Sequence, residues 1–165
     1  MFILRACRWL DATPWSVALR ESTWVYPIVE STHVLGLCLF LGFAVVLDLR
    51  LIGAAMRRTR VSEIAERLMP WTVAGFAIMV VSGALLFYSS PVRFYGNVFF
   101  RVKAVTLALA GLNAWVFHAT IYRRLDAWDD APVTPAGARA AGYLSLTFWL
   151  VIVVSGRMIA YNWFN

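Results

Sequence analysis

Cysteine and histidine are scarce in this chain, which limits the metal chemistry that it can support. It contains two cysteines, Cys7 and Cys38, and two histidines, His33 and His118. No Cys-x-x-Cys or His-x-x-x-His spacing occurs, so the sequence offers no closely spaced set of metal ligands. Cys38 lies within a long apolar run that Cys7 precedes, which disfavours a disulfide between them. We expect both cysteines to be buried, free thiols that pack as small apolar residues.

Acidic residues are also few, and the basic residues that outnumber them are unevenly distributed. The chain has 9 Asp and Glu against 15 Lys and Arg, a net charge of +6. The arginines cluster at the ends of apolar runs, where such residues orient membrane proteins and contact anionic lipids. This pattern disfavours a nucleic-acid-binding protein. The serines lack a nucleophile-elbow motif, which disfavours a serine hydrolase.

Long apolar runs are what the chain has in abundance. Hydrophobic residues make up 61% of the sequence, whereas soluble domains average about 45–50%. Each run reaches the ~20 residues that a helix needs to cross a bilayer core of ~30 Å. The sequence predicts an all-α integral membrane protein, a four-transmembrane-helix bundle that forms one membrane domain over residues 1–165. The predicted spans are about 22–47, 69–90, 99–121 and 141–163.

A short interfacial helix is predicted before the first span, over about residues 8–20. Thr13 is expected to act as an N-cap, with Pro14 at the first helical position. Trp9 and Trp15 would lie at the level of the lipid headgroups. Within the second span, Gly75 and Gly83 are eight residues apart on one side of the helix, which predicts close packing against a neighbouring helix.

The loops between the spans predict how the chain is oriented. The loop between the first two spans is dense in arginine, and the loop between the last two adds three more. Because basic loops stay on the cytoplasmic side, we expect both large loops there and both termini in the periplasm of a bacterial inner membrane. The arginines of the first loop are Arg50, Arg57, Arg58, Arg60 and Arg67.

Ionisable residues within the predicted spans indicate a polar interior. Glu30, His33 and Asp48 share one stripe of the first span, and Arg157 lies in the fourth span. Charged groups within a bilayer are rarely left unpaired, so we expect these residues to face inward. Glu30 and Arg157 lie at similar depths, ~12 Å and ~9 Å from the same end, which predicts an ion pair. Such a pair would either fix the helix register or anchor an anionic ligand such as a haem propionate.

The two histidines are candidate haem ligands. His33 lies near the midplane on the inward stripe, and a bundle core can host a planar macrocycle between helices. His118 is a possible second ligand, although predicted depths of ~16 Å for His33 and ~22 Å for His118 make a shared iron awkward. The alternative for His33 is a structural role, with a hydrogen bond to Ser82 or Ser155 on another helix.

One set of stretches resembles a known haem protein. His33 with GLCLFLGFAVVLDLRLIG, ERLMPWTVAGFAIMVVSGALLF and FFRVKAVTLALAGLNAW resembles the small bacterial haem-containing membrane protoporphyrinogen oxidase, over about residues 30–118. The matching polar positions are His33, Arg50, Arg67 and Lys103. The resemblance implies haem b, with His33 as the axial ligand and Lys103 beside the porphyrin or its substrate.

A second resemblance is to a family of uncharacterised small bacterial four-helix membrane proteins. Its E-x-x-H, D-L-R-L and G-R-x-I-A-Y signatures stand here at residues 30–33, 48–51 and 156–161. The four-helix cytochrome b and copper-resistance membrane proteins share the same general plan. Glu30 and Arg157 lie outside the oxidase pattern, and we expect them to shape the outer part of a haem pocket.

These observations predict a haem b-binding inner-membrane protein that transfers electrons, with quinone or a partner complex as redox partner. His33 would bind the haem iron, and His118 could supply a second ligand. The first alternative is a membrane enzyme that oxidises a porphyrinogen, which the Lys103 and Arg67 matches favour. The second is a non-catalytic subunit of a membrane complex or oligomer, whose polar groups only set the helix register.

Overall fold

The fold is described by a computed structural model for residues 2–131 and 133–161. All regular elements in those two ranges are helices: α1 Phe2–Asp11, α2 Pro14–Glu21, α3 Val25–Ile52, α4 Val61–Ser89, α5 Pro91–Gly96, α6 Val98–Val116 and α7 Ala136–Met158. After Val116, α6 widens into a π-helical turn, Phe117–Ile121, and then tightens into a 3₁₀ turn, Tyr122–Ala127.

Four of these helices are long and apolar enough to cross a membrane. They are α3, α4, α7 and α6 with its continuation to Ala127, and their mean hydropathies run from 1.5 to 2.3. Large apolar side chains on their outward faces are exposed, among them Leu35 at 70%, Val81 at 62% and Leu150 at 65%. Contiguous exposed apolar surface of this extent marks a face that contacts lipid or protein. The predicted all-α architecture with four long apolar helices is confirmed.

The helices extend further than the predicted spans at the ends that carry polar residues. α3 ends at Ile52 rather than near 47, and Gly53 caps it in the left-handed conformation with φ of 82°. α4 begins at Val61 rather than near 69. Hydropathy ends a span at the first charged cluster, whereas a helix continues while its backbone hydrogen bonds are satisfied. Residues 162 and 163 of the last predicted span lie outside the described residues.

We name the two ends of the bundle by the direction of the helices. α3 and α6 begin at the upper end, where α4 and α7 end; the loops 53–60 and 128–135 lie at the lower end. α3 packs along α4 and α7, and α6 packs along α7. The α3–α4 crossing depends on glycine, because a Cβ added to Gly75 would lie 2.7 Å from the Phe40 backbone nitrogen. The predicted close packing through Gly75 is confirmed.

The N-terminal segment forms two helices rather than the single one predicted over 8–20. The break falls before Thr13, whose side chain accepts the predicted capping hydrogen bond from the Ser16 N–H, with Pro14 at the first helical position. Thr13 Oγ1 also lies 2.7 Å from the Tyr88 hydroxyl, and Ser16 Oγ donates to the Tyr88 carbonyl over 2.9 Å. These hydrogen bonds attach the start of α2 to the upper end of α4.

The two cysteines are free thiols in different surroundings. Cys7 is buried in α1, as predicted. Cys38 is exposed, so its predicted burial is wrong. It lies on the outward face of α3, and a mid-span position in the sequence does not show which way a side chain faces.

The lower end is closed by hydrogen bonds between the two large loops. Asp129 accepts from both the N–H and the hydroxyl of Ser62, and so caps the start of α4. Burial opposes ionisation of this carboxyl, but the Ser62 and Val61 groups and the nearby Arg60 together hold the pKa of Asp129 below its ordinary value. Arg60 also pairs with Asp130 through two hydrogen bonds, of 2.5 and 2.8 Å.

Candidate functional site

The candidate site begins with His33, whose half-buried imidazole extends from α3 to α4. Its Nδ1 lies 3.0 Å from the Ser82 hydroxyl. Beside Ser82, a Cβ added to Gly83 would lie 3.0 Å from Cε1 of the same ring. The imidazole ring therefore occupies the space that a side chain at position 83 would fill. Of the two hydrogen-bond partners predicted for a structural His33, the structure shows Ser82.

The hydrogen bonds of Ser82 determine which nitrogen of His33 carries its proton. The Ser82 hydroxyl donates to the Ile78 carbonyl over 2.6 Å, and a carbonyl can only accept. With its single proton committed there, Ser82 accepts from His33, so Nδ1 is the protonated nitrogen. Nε2 is then left with its lone pair. A neutral imidazole in this state can bind a metal or accept a proton.

Lys103 brings a positive charge to the same level of the bundle. It extends from α6 towards α7, where a Cβ added to Gly156 would lie 3.3 Å from the Lys103 Nζ. It also lies within electrostatic range of His33. The ion pairs of the described residues do not include Lys103. Ionisable residues within apolar spans are rare and commonly functional, so Lys103 is a candidate for contacting a ligand.

Apolar layers enclose these groups, and we call His33, Ser82 and Lys103 the upper polar layer. Above it, the rings of Phe87 and Phe100 stack with centroids 5.4 Å apart. Below it lies an apolar cluster formed by Met79, Ala110, Trp149 and Ile152. Phe87 and Met79 each lie one helical turn from Gly83, on opposite sides of it. Apolar side chains therefore border the upper polar layer both above and below.

Glu30 and Arg157 do not form the predicted ion pair. Within the described ranges Glu30 makes no ion pair, and Arg157 donates to the Tyr161 hydroxyl over 2.9 Å and lies over its ring. Both side chains are exposed. The prediction rested on depth along the helices and had no information on how each helix is rotated about its axis. That Glu30 and Arg157 shape the outer part of a haem pocket stays a prediction, and no contact between the two side chains supports it.

His118 is remote from His33. It is exposed, on the π-helical turn, and its Nδ1 bonds to the Ala114 carbonyl of its own helix over 2.8 Å. It lies 20 residues along α6, ~30 Å from the upper end, whereas His33 lies ~12 Å from the start of α3. The structure does not bring the two histidines to a common point, so His118 as a second iron ligand stays a prediction that their positions do not support.

The other two positions of the oxidase resemblance lie at the lower end. Arg50 is buried, and it donates to the Thr59 carbonyl over 2.7 Å and to the Thr134 hydroxyl over 3.2 Å. Arg67 pairs with Glu63 one turn away on α4. Both arginines thus have partners of their own, and neither joins His33 and Lys103.

Comparison with protein families identifies relatives. The profile of one family, a family of unknown function named DUF6644, matches residues 21–162 of the chain. The chain belongs to the DUF6644 family. No curated protein and no solved structure matches it. This agrees with the predicted resemblance to uncharacterised small membrane proteins, while the resemblance to haem and cytochrome families stays a prediction.

Two features of this DUF6644 chain were not anticipated from its sequence. Gly156, which accommodates Lys103, lies within the GRMIAY signature, but a single glycine in an apolar helix carries no specific signal. The sequence places Asp48 on the inward stripe but predicts no partner for it. In the structure Asp48 is buried, and its Oδ2 lacks a hydrogen bond among the described residues. The D-L-R-L signature could have drawn attention to it.

Proposed function

We propose that this DUF6644 protein is a multi-pass protein of the bacterial inner membrane that binds haem b through His33 and transfers electrons. The His33–Ser82 contact carries the proposal: because Ser82 donates to Ile78, we infer that Nδ1 of His33 carries the proton and that Nε2 keeps its lone pair. A ligating histidine in a metalloprotein is normally held through its other ring nitrogen in this way. Lys103, which makes no ion pair among the described residues, lies within electrostatic range of the ring.

The residues present fit such a group. A haem needs an imidazole nitrogen for its iron, and His33 Nε2 supplies one. It also carries two carboxylates, and Lys103 would neutralise a negative charge that the apolar surroundings would otherwise exclude. When bound, haem b supplies one-electron redox chemistry, which the axial ligand and the surrounding dielectric tune. The Phe87 and Phe100 rings above the layer would keep water away.

Electron exchange within the membrane requires an apolar route to the site. A groove of about 380 Å³ lies between α3 and α4, and its lining is almost entirely apolar. Val29 and Thr32 line it from α3, and Ser82, the residue that holds His33, lines it from α4. An isoprenoid quinone matches such a groove in polarity, which favours quinone over a soluble redox partner.

The proposed orientation keeps both termini in the periplasm. Four membrane-crossing helices return the chain to the side on which it began, so the upper polar layer would lie in the periplasmic half. The support is the dense run of arginines at the lower end, from Arg50 to Arg67.

The structural role is the second candidate, and one observation favours it. The His33–Ser82 hydrogen bond and the Gly83 contact already connect α3 to α4 without any ligand. Oxidation of a porphyrinogen has less support, because Arg67 lies at the opposite end of the bundle from Lys103 and is paired with Glu63.

An absorption spectrum separates haem binding from a structural role. Protein purified from cells supplied with a haem precursor should show a Soret band, with α and β bands on reduction. The His33→Ala variant should lose the band or become high-spin while still inserting in the membrane. His118→Ala is the matched control, and its spectrum should equal the wild type's. Wild-type protein that purifies without haem would contradict the proposal and leave the structural role.

A further inference from the structure

Asp48 is a buried carboxylic acid that the proposed haem site does not use. It lies on α3 near the lower end, four residues before the helix ends at Ile52, and only 7% of its surface is exposed. Its Oδ2 has no hydrogen-bond partner among the described residues. Every other buried side-chain oxygen or nitrogen of those residues has one. Polar atoms with this degree of burial are nearly always hydrogen-bonded.

The neighbouring helix explains why Asp48 is enclosed. Gly142 of α7 lies against the backbone of α3 here, and a Cβ added to it would lie 3.1 Å from the Asp48 carbonyl oxygen. Ser145, one turn further along α7, presents its hydroxyl to the carboxyl. Because α3 and α7 approach so closely, the Oδ2 atom of Asp48 is shielded from solvent.

Within residues 2–131 and 133–161, no cation forms an ion pair with the carboxyl. Arg50, two residues along the same helix, is committed to Thr59 and Thr134. At the start of α4, Arg60 pairs with Asp130 and Arg67 pairs with Glu63. Asp129 is half-buried and accepts hydrogen bonds from Ser62. The remaining charged side chains of this end are exposed; they are Arg57, Arg58, Glu66, Arg123, Arg124, Asp126 and Arg139.

An isolated carboxylate in such a place is unstable as an anion. Burial without a paired charge is so unfavourable that a carboxyl group normally neutralises by binding a proton. Protonation would also give Oδ2 a hydrogen. We propose that Asp48 is a proton-binding site, which holds a proton at neutral pH and exchanges it with the aqueous phase at the lower end of the bundle.

The position of Asp48 makes exchange with one side feasible. Four residues of helix separate it from the end of α3, a rise of ~6 Å. In the other direction, the apolar cluster of Met79, Ala110, Trp149 and Ile152 separates it from the upper polar layer. Intramembrane carboxyls of this kind commonly bind and release protons in pumps and transporters. The inference does not depend on whether His33 binds haem.

Infrared spectroscopy of the full-length protein in lipid tests the proposal. The wild type at neutral pH should show the C=O stretch of a protonated carboxylic acid, shifted in D₂O, and Asp48→Asn should lack it. Ser145→Ala is the matched control, which should shift the frequency without abolishing the band. The wild-type band should disappear reversibly at alkaline pH.

Two results would overturn the proposal. One is that the Asp48→Asn spectrum at neutral pH differs from the wild-type spectrum only by the loss of a carboxylate band. The other is a protonated band that does not titrate at any pH at which the protein stays folded, which would rule out exchange. Because Asn is a neutral isostere, the thermal unfolding of Asp48→Asn at neutral pH supplies a second measure. Stability equal to that of the wild type supports a neutral Asp48, whereas a clear loss contradicts it.

Discussion

Arg50 at the lower end and Lys103 at the upper end are both cations in apolar helices, but Arg50 is buried whereas Lys103 is half-buried, and their surroundings differ. The Arg50 guanidinium donates to the Thr59 carbonyl and to the Thr134 hydroxyl. Lys103 lies against a glycine and makes no ion pair within the described ranges. Both match the same family pattern, yet only Arg50 is explained by the fold alone. The hydrogen bonds of Arg50 account for a structural role, whereas Lys103 remains a candidate for the proposed haem site.

The largest effect is expected from Arg50→Ala. The substitution removes two hydrogen bonds to a charged group and leaves the buried Thr134 hydroxyl without a partner, so stability should fall by about 3 kcal/mol. Thermal unfolding in a fixed detergent measures the change. The control is Arg57→Ala, an exposed arginine of the same loop, which should change stability by less than ~0.5 kcal/mol. Equal losses of stability in Arg50→Ala and Arg57→Ala would mean that the hydrogen bonds of Arg50 do not stabilise the fold. The contrast between Arg50 and Lys103 would then fail.

Replacing Ser82 tests how the upper polar layer holds His33. Ser82→Ala removes the acceptor that fixes Nδ1, and haem affinity should fall by about 10–100-fold, as for other residues that orient metal ligands. Haem titration into the purified, haem-free protein measures it. Thr72→Val is the control, because Thr72 bonds to the Leu68 carbonyl as Ser82 bonds to Ile78, but contacts no histidine. Unchanged affinity in Ser82→Ala would mean that Ser82 does not orient a ligand.

Lys103→Met should change the stability of the haem-free protein in the opposite direction to Arg50→Ala. Removal of a charge without a partner should raise the stability of the haem-free protein by about 1 kcal/mol. The same variant should bind haem more weakly, because its carboxylates lose their counter-ion. Thermal unfolding with and without haem measures both changes. If Lys103→Met destabilises the haem-free protein, Lys103 has a structural partner and the contrast with Arg50 fails.

The smallest expected effect is on how the stability of the protein depends on pH, through Asp129 at the lower end of the bundle. The pKa of Asp129 is lower in the fold than its ordinary value of 3.8, so the folded state binds fewer protons than the unfolded one in acid. Its stabilising contribution is complete above that ordinary value and is lost as pH falls through the folded pKa. Asp129→Asn should therefore unfold at a lower temperature than wild type at about pH 7, and the difference should shrink towards about pH 3. A difference independent of pH would contradict this.

The sequence predicted the helices well and the contacts between them poorly. Apolar runs identified four spans, and Thr13 with Pro14 identified the start of α2. His33 was identifiable as an ionisable residue in an apolar helix, and Ser82 as a partner at matching depth. Depth alone failed for Glu30 and Arg157, because the sequence does not give the rotation of one helix relative to another.

The missed contacts share a physical origin. Gly156 matters because of what it lacks, and only the packed structure shows that Lys103 fills the space. Arg50 was predicted as part of a cytoplasmic loop, yet it is buried, because Thr59 and Thr134 are brought to it by two separate segments. Such long-range contacts leave no periodicity in the sequence.

The unprotonated Nε2 of His33 is the central claim, and ¹⁵N NMR of histidine-labelled, haem-free protein tests it most directly. Only two histidines contribute, and the spectrum of His118→Gln assigns the signals of His33. The structure predicts that Nδ1 of His33 carries the proton and that Nε2 has the shift of an unprotonated imidazole nitrogen. A proton on Nε2, with Nδ1 unprotonated towards Ser82, would contradict the hydrogen-bond assignment and the haem site built upon it.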